Sequence, residues 1–221
     1  MPAWSRRWLT LLMMLALVLS GFRADGTVAA PAGKGSQGGA TCPVAGGAQV
    51  VLDPGHGGAD SGAVNTMYSL KEKDLTLDIA RQTRDILAAN GYSVALTRDG
   101  DYGLGNSERG EIANACKALM FVEIHLNGSS DPSVNYSQTF WGKKRKDLAF
   151  SQKMSGALSS LGIQNNGTGQ FANGGLLQAT MPSTLVEAVF LTNNDEGAQL
   201  AAGTRHGQIA QAIAAGVMAY T

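Results

Sequence analysis

The chain has only two cysteines, six prolines and three histidines in 221 residues, and its 17 basic side chains are matched by 17 acidic ones. Each shortage excludes something. With no net charge, nothing in the balance points to nucleic acid or to an acidic membrane surface as a partner. Two cysteines permit a single disulfide, Cys42 to Cys116, and pairing does not follow from sequence. Cys116 shares a helical face with Arg109, Ile112 and Ala113, so a half-buried free thiol stays open as the other reading. There is no internal repeat, no heptad run, no charge block and no cysteine where a lipoprotein leader requires one. The Gly-rich turn at residues 55–58 lacks the Lys-Ser/Thr ending of a P-loop and the spacing of a dinucleotide fingerprint.

What is present divides into three segments. Arg6 and Arg7 precede the apolar run Trp8 to Leu19, which is too short to span a bilayer comfortably. Residues 1–25 therefore read as an export signal peptide, and export to the periplasm or the extracellular cell envelope follows, with no stable membrane insertion after cleavage. An uncleaved anchor is the competing reading, and no long stop-transfer stretch supports it. Residues 26–48, rich in Gly, Ala, Ser and Thr, read as a flexible linker. Residues 49–221 form one domain of ordinary size, and 44 % apolar content is enough for one sizeable core.

From Gln49 onward strand-like and helix-like segments alternate, which predicts an α/β fold: a single domain built on a mostly parallel twisted sheet with helices on both faces. The apolar stripe Leu75, Ile79, Ile86 and Leu87 predicts a helix over Glu72–Ala89, stopped at Asn90-Gly91. Strands are expected at Tyr92–Thr97, Ala118–Ile124, near Gln138–Trp141, near Leu176–Gln178 and around Leu185–Val189. Further helices are expected over Ser107–Ala115 and Asp147–Leu161. A Gly/Asn-rich loop is expected over Gly162–Gly175, and a closing helix carries Ile209, Ile213, Val217 and Tyr220 on one stripe.

Three buried-strand signatures each deliver a side chain competent in metal binding or acid/base chemistry. His56 lies four residues past the run Val50–Leu52, in a turn where Gly55, Gly57 and Gly58 let backbone approach a ligand. His125 closes the run Met120–Ile124 at the boundary of the core. Glu187 sits inside Leu185–Phe190, where an unpaired carboxylate is costly to ionise and must be protonated, paired or beside a cation. A salt bridge to Arg98 or Arg109 is the structural alternative. Glu72 opens the first long helix, which must pack back on the sheet and so can return its first turn toward the same rim.

These motifs resemble the zinc-dependent N-acetylmuramoyl-L-alanine amidases of bacterial cell walls, the type 3 amidase family. The resemblance is carried by Leu52-Asp53-Pro54-Gly55-His56-Gly57-Gly58 with Asp60 and Gly62-Ala63, by Glu72-Lys73-Asp74, by Ile124-His125 with Asn127, and by Leu185-Val186-Glu187 with Phe190 and Asn193. It covers nearly all of residues 49–221. It implies a catalytic amidase domain in which His56, Glu72 and His125 bind one Zn2+ per chain and Glu187 is the catalytic acid/base. The implied substrate is the glycan-peptide of peptidoglycan, cut between muramic acid and L-alanine by an activated water. Arg109 and Asn114 match a further family segment that is structural in character.

Two residues depart from or fall outside the pattern. Glu123 stands where the family has a small residue; by strand alternation it shares a face with His125, either orienting that histidine or adding negative charge to the pocket. His206 matches no motif and reads as a packed or surface histidine. A catalytically silent peptidoglycan-binding regulator and a zinc peptidase of the stem peptide are the competing functions. No activator or recruiting protein is identifiable from the sequence.

Overall fold

The computed structural model describes residues 40–221. The expected signal peptide and the first part of the expected linker lie outside the described residues. One six-stranded sheet organises the rest. Its strands are β1 (Val50–Pro54), β4 (Val94–Leu96), β5 (Met120–Asn127), β6 (Ser137–Trp141), β7 (Asn165–Gln170) and β8 (Ser183–Phe190), in the spatial order β4-β1-β5-β8-β6-β7. A two-stranded hairpin, β2 (Val64–Asn65) with β3 (Leu70–Lys71), stands apart from it. All pairings in the large sheet are parallel except β6 with β8.

The helices are α1 (Glu72–Ala89), α2 (Asn106–Ala115), α3 (Lys144–Leu158), α4 (Gly174–Gln178), α5 (Asn194–Ala201) and α6 (Thr204–Met218). Val50, Leu52, Val122, Ile124, Val186 and Ala188 face α1, α3 and α6 through Ile79, Phe150, Met154, Ile213 and Val217, forming the main core. The alternate residues Val51 and Phe121 meet Ala113 of α2 and Ala179 just past α4 in a smaller cluster. Every residue of β1 is buried, as a strand covered on both faces requires. Helix α1 has the predicted bounds: its buried stripe includes Leu75, Ile79 and Leu87, and the chain leaves through Gly91 at a left-handed φ of 86°.

Three expectations are corrected. The segment expected to be all loop, Gly162–Gly175, contains β7, whose polar residues give no apolar alternation because it is an edge strand held by backbone pairing to β6. Leu176–Gln178 belongs to helix α4 and is not a strand: the Asn173 side chain accepts from the Gly175 N–H and starts the turn. The region expected as one closing helix is preceded by a separate α5, capped by Asn193 through bonds from the Asp195 and Glu196 N–H groups.

Cys42 and Cys116 are joined in a disulfide, which removes the free-thiol reading. Cys42 and Val44 pack against the smaller cluster and Ala48 is buried within it, so the end of the segment read as linker is docked on the domain. No helix among the described residues is long and apolar enough to cross a membrane.

Candidate metal centre

Parallel neighbours β1, β5 and β8 end at the same edge of the sheet, the edge where α/β folds hold their ligands. His56 lies two residues past β1, in a left-handed backbone conformation at φ 62° that a side-chain-bearing residue adopts only when its surroundings enforce it. Two buried arginines supply the enforcement. Arg109 donates to the Pro54 and His56 carbonyls, each at 2.9 Å, and to Asp53 Oδ1 at 2.9 Å. Arg98, 1 % exposed, donates to the Pro54 and Gly55 carbonyls at 3.0 and 2.8 Å. The loop that presents the imidazole is thus held by two guanidinium groups, and neither is left over for Glu187.

Glu72 reaches the same edge because the β2–β3 hairpin turns the chain back, and its own N–H bonds to the Ala63 carbonyl at 2.9 Å. Its carboxylate accepts from the Ala63 N–H at 2.8 Å through Oε2 and from the Leu126 N–H at 3.0 Å through Oε1. His125 comes from the end of β5. The donor atoms converge: His56 Nε2 and His125 Nδ1 each lie 3.0 Å from Glu72 Oε1, and the two nitrogens are 3.1 Å apart. Asp60 Oδ2 lies 2.8 Å from His56 Nδ1, which fixes the ring and turns Nε2 inward. Two glycines leave the space: a Cβ on Gly55 would run into the His125 ring, and one on Gly62 into both His56 and Glu72.

The electrostatics match a site for a cation. Burial disfavours an ionised Glu72, but hydrogen bonds from His125 and His56 and their charge outweigh it and hold the carboxyl well below its usual range. Burial likewise works against a charged His56, yet Glu72 and Asp60 pull its pKa above the ordinary value.

Glu187 lies on β8 directly beside His125, its parallel partner on β5. Its Oε2 is buried with no hydrogen-bond partner. Burial, and after it the negative charge of Glu72, push its pKa well above the carboxylate range. The arginine salt bridge offered as the structural alternative does not form, since Arg98 and Arg109 are committed to the His56 loop.

Glu123 does not orient His125, whose Nδ1 meets Glu72 and His56 instead. It pairs across the strands with Asp53 and is buried, with Oε1 unpartnered. Helix α4 accommodates it by placing Gly175 above it, where any Cβ would collide with Glu123 Oε1. Asn114 ties α2 to the approach of β8, donating to the Gln178 carbonyl at 2.9 Å and accepting from the Thr180 N–H at 2.8 Å. His206 is packed between α6 and α1, with Nδ1 2.5 Å from Asp78 Oδ2. Sequence reasoning quoted Asp60 without giving it a role, although its place four residues after His56 was visible. The work of Arg98 had no such signal.

Residues 50–219 match the family model described as N-acetylmuramoyl-L-alanine amidase. The chain belongs to the N-acetylmuramoyl-L-alanine amidase family. The amidase domain is 33 % identical over 181 residues to the N-acetylmuramoyl-L-alanine amidase LytC of Bacillus subtilis, covering 79 % of this chain and 36 % of that protein. It is 32 % identical over 218 residues to the amidase AmiA of Escherichia coli, covering 77 % of this chain and 75 % of that one. The solved structure of the amidase AmiC2 of Nostoc punctiforme superposes with a TM-score of 0.72 at 35 % identity, over 77 % of this chain and 95 % of the other. This chain thus spans about a third of LytC and three quarters of AmiA, and the shared part is the amidase fold. The mostly parallel sheet with helices on both faces is the architecture of these amidases.

Proposed function

We propose that this amidase is a zinc-dependent hydrolase of the bond between N-acetylmuramic acid and the L-alanine of the stem peptide, with His56, Glu72 and His125 as metal ligands and Glu187 as general acid/base. The observation that carries the reading is the convergence of three donor atoms within 3.1 Å of one another, with an unpaired buried carboxyl on the adjacent strand.

The donor set fits the ion. Two imidazoles and one carboxylate, with Asp60 behind His56, is a combination zinc accepts in hydrolytic sites, and three protein ligands leave a position for water or substrate. The glycine cradle at Gly55 and Gly62 supports the same conclusion, because side chains there would fill the space around the donors. Bound there, zinc supplies Lewis acidity that makes water nucleophilic near neutral pH and polarises the scissile carbonyl.

The chain's own residues do the rest. Glu72 stays ionised, held by the Ala63 and Leu126 N–H groups as well as by the histidines. Glu187 takes the proton from the attacking water and passes it to the departing amine of L-alanine, a relay suited to a carboxyl whose pKa burial has raised. No covalent intermediate with the protein is needed.

Export of the enzyme to the periplasm or the extracellular envelope, with residues 1–25 as leader, belongs to the same proposal. The Cys42–Cys116 disulfide supports it, since such bonds persist in oxidising compartments. The test is a peptidoglycan digest analysed by mass. An amidase frees peptides that begin with L-alanine. Shortened stem peptides still attached to glycan would make the enzyme a peptidase, and no release by a correctly folded, zinc-loaded protein would make it a silent binder.

A further inference from the structure

The two faces of the sheet are covered unequally, and the uncovered part begins at Glu187. Gln138 of β6 is the antiparallel partner of Glu187, and Phe140 is the partner of Leu185, so both side chains share the face that carries His125 and Glu187. Next outward, on the edge strand β7, Gly169 pairs with Phe140; a Cβ there would lie 3.3 Å from the Phe140 ring and 3.5 Å from Gln138 Nε2. Glycine at this place keeps a flat floor beneath an aromatic ring and an amide. The floor ends at Phe171, half exposed, whose ring lies 5.8 Å from that of Phe140. Helix α4 forms a wall along one side, with Leu177 also half exposed.

Given the proposed amidase reaction, we infer that this surface, from Gln138 over Phe140 to Phe171, binds the glycan strand of the substrate and not its stem peptide. The inference rests on the amidase reading and adds a direction to it. An aromatic floor beside a neutral amide suits N-acetylated sugars, which offer apolar ring faces and uncharged polar groups. The stem peptide carries free carboxylates and would call for cations. The floor residues Gln138, Phe140, Gly169 and Phe171 include none: Lys143 is committed to the Leu176 carbonyl and Lys146 to that of Thr180, while the exposed Lys144 and Arg145 open α3, which packs on the opposite face. Phe171 lies two strands out from Glu187 and about four residues further along them, roughly 15 Å away. At that span it meets a sugar beyond the one that bears the scissile amide.

Binding is measured with the purified full chain carrying Glu187→Gln, so that no probe is cleaved. One probe is a glycan strand stripped of peptides, the other the free stem peptide. Phe171→Ala is expected to weaken glycan binding about tenfold, the loss of one good aromatic contact. Phe171→Trp should preserve binding, Leu177→Ser should weaken it less, and none should change the peptide's affinity. Unchanged glycan affinity in Phe171→Ala, or a loss confined to the stem peptide, would overturn the inference. Zinc content and release of L-alanine-terminated peptides by the Phe171→Ala chain with Glu187 intact are read separately. Failure of those two would refute the amidase reading while leaving the glycan measurement interpretable.

Discussion

The two faces of the central sheet are built from the same strands yet obey different rules. Toward α1, α3 and α6 the strands present Val50, Leu52, Val122, Ile124 and Val186, all sealed in one apolar core. Toward α2 and α4 the alternate positions of the same strands start apolar, at Val51 and Phe121, and turn polar at the site with Asp53, Glu123, His125 and Glu187, three of which keep an unpartnered oxygen: Asp53, Glu123 and Glu187. One face holds the fold together. The other spends stability on buried polar groups, which is tolerable only because the first is so well packed.

The largest effect is expected on the polar face. Glu187→Gln should keep zinc and the fold while lowering turnover by roughly 10³-fold, the scale of a lost general acid/base; single-turnover kinetics on the purified variant would check it, and a rate near wild type would remove Glu187 from the mechanism. The apolar face should behave in the opposite way. Phe150→Ala, at a fully buried ring, should cost about 3–5 kcal/mol of stability, read by denaturant unfolding, with activity per folded molecule retained. A catalytic loss in that variant beyond its unfolded fraction would blur the distinction between the faces.

A smaller effect should separate position from charge. Arg109→Lys keeps the charge but cannot donate simultaneously to Asp53 and to the Pro54 and His56 carbonyls, so the left-handed His56 loop should loosen. Zinc affinity, measured by competition with a chelator, should fall about tenfold. The smallest effect is on pH dependence. Burial, with the charge of Asp53 adding to it, raises the Glu123 pKa well above its unfolded value despite Arg109 and Lys143. A raised folded pKa gives a stability contribution that is complete below the ordinary carboxylate pKa and is lost as pH rises toward the folded value. Glu123→Gln should therefore gain stability relative to wild type as melts move from acid to neutral pH, and parallel curves would contradict a buried, protonated Glu123.

How much of this was legible depended on how local the signal was. β1, β5 and β8 were readable as apolar runs because both faces are covered, and α1 was readable to its last residue because its stripe and its Asn90-Gly91 stop agree. β7 was hidden because an edge strand with glycine at 167 and 169 is held by backbone pairing to β6 and by polar bonds from Asn165 and Thr168 to α3, with no apolar alternation to read. α4 was misread because two leucines following two glycines carry no period, and the Asn173 cap was the only cue. The convergence of His56, Glu72 and His125 followed from their places at strand ends and a helix start, together with the family resemblance. The arginine clamp did not, because Arg98 reaches the Pro54 and Gly55 carbonyls across 44 and 43 residues of chain. Glu123 with Gly175 is also a long-range bargain: a large residue on one element is matched by the absence of a side chain on another.

The account turns on one ion held by three side chains at the end of the sheet. The direct measurement is elemental analysis of the purified chain and of His56→Ala, Glu72→Ala and His125→Ala variants, each followed by chelation and zinc restoration. One zinc per wild-type chain is expected, with hydrolysis lost on chelation and recovered on zinc addition, and strongly reduced zinc in each variant while far-ultraviolet circular dichroism is kept. A wild-type chain that cleaves peptidoglycan at full rate after complete zinc removal would contradict it.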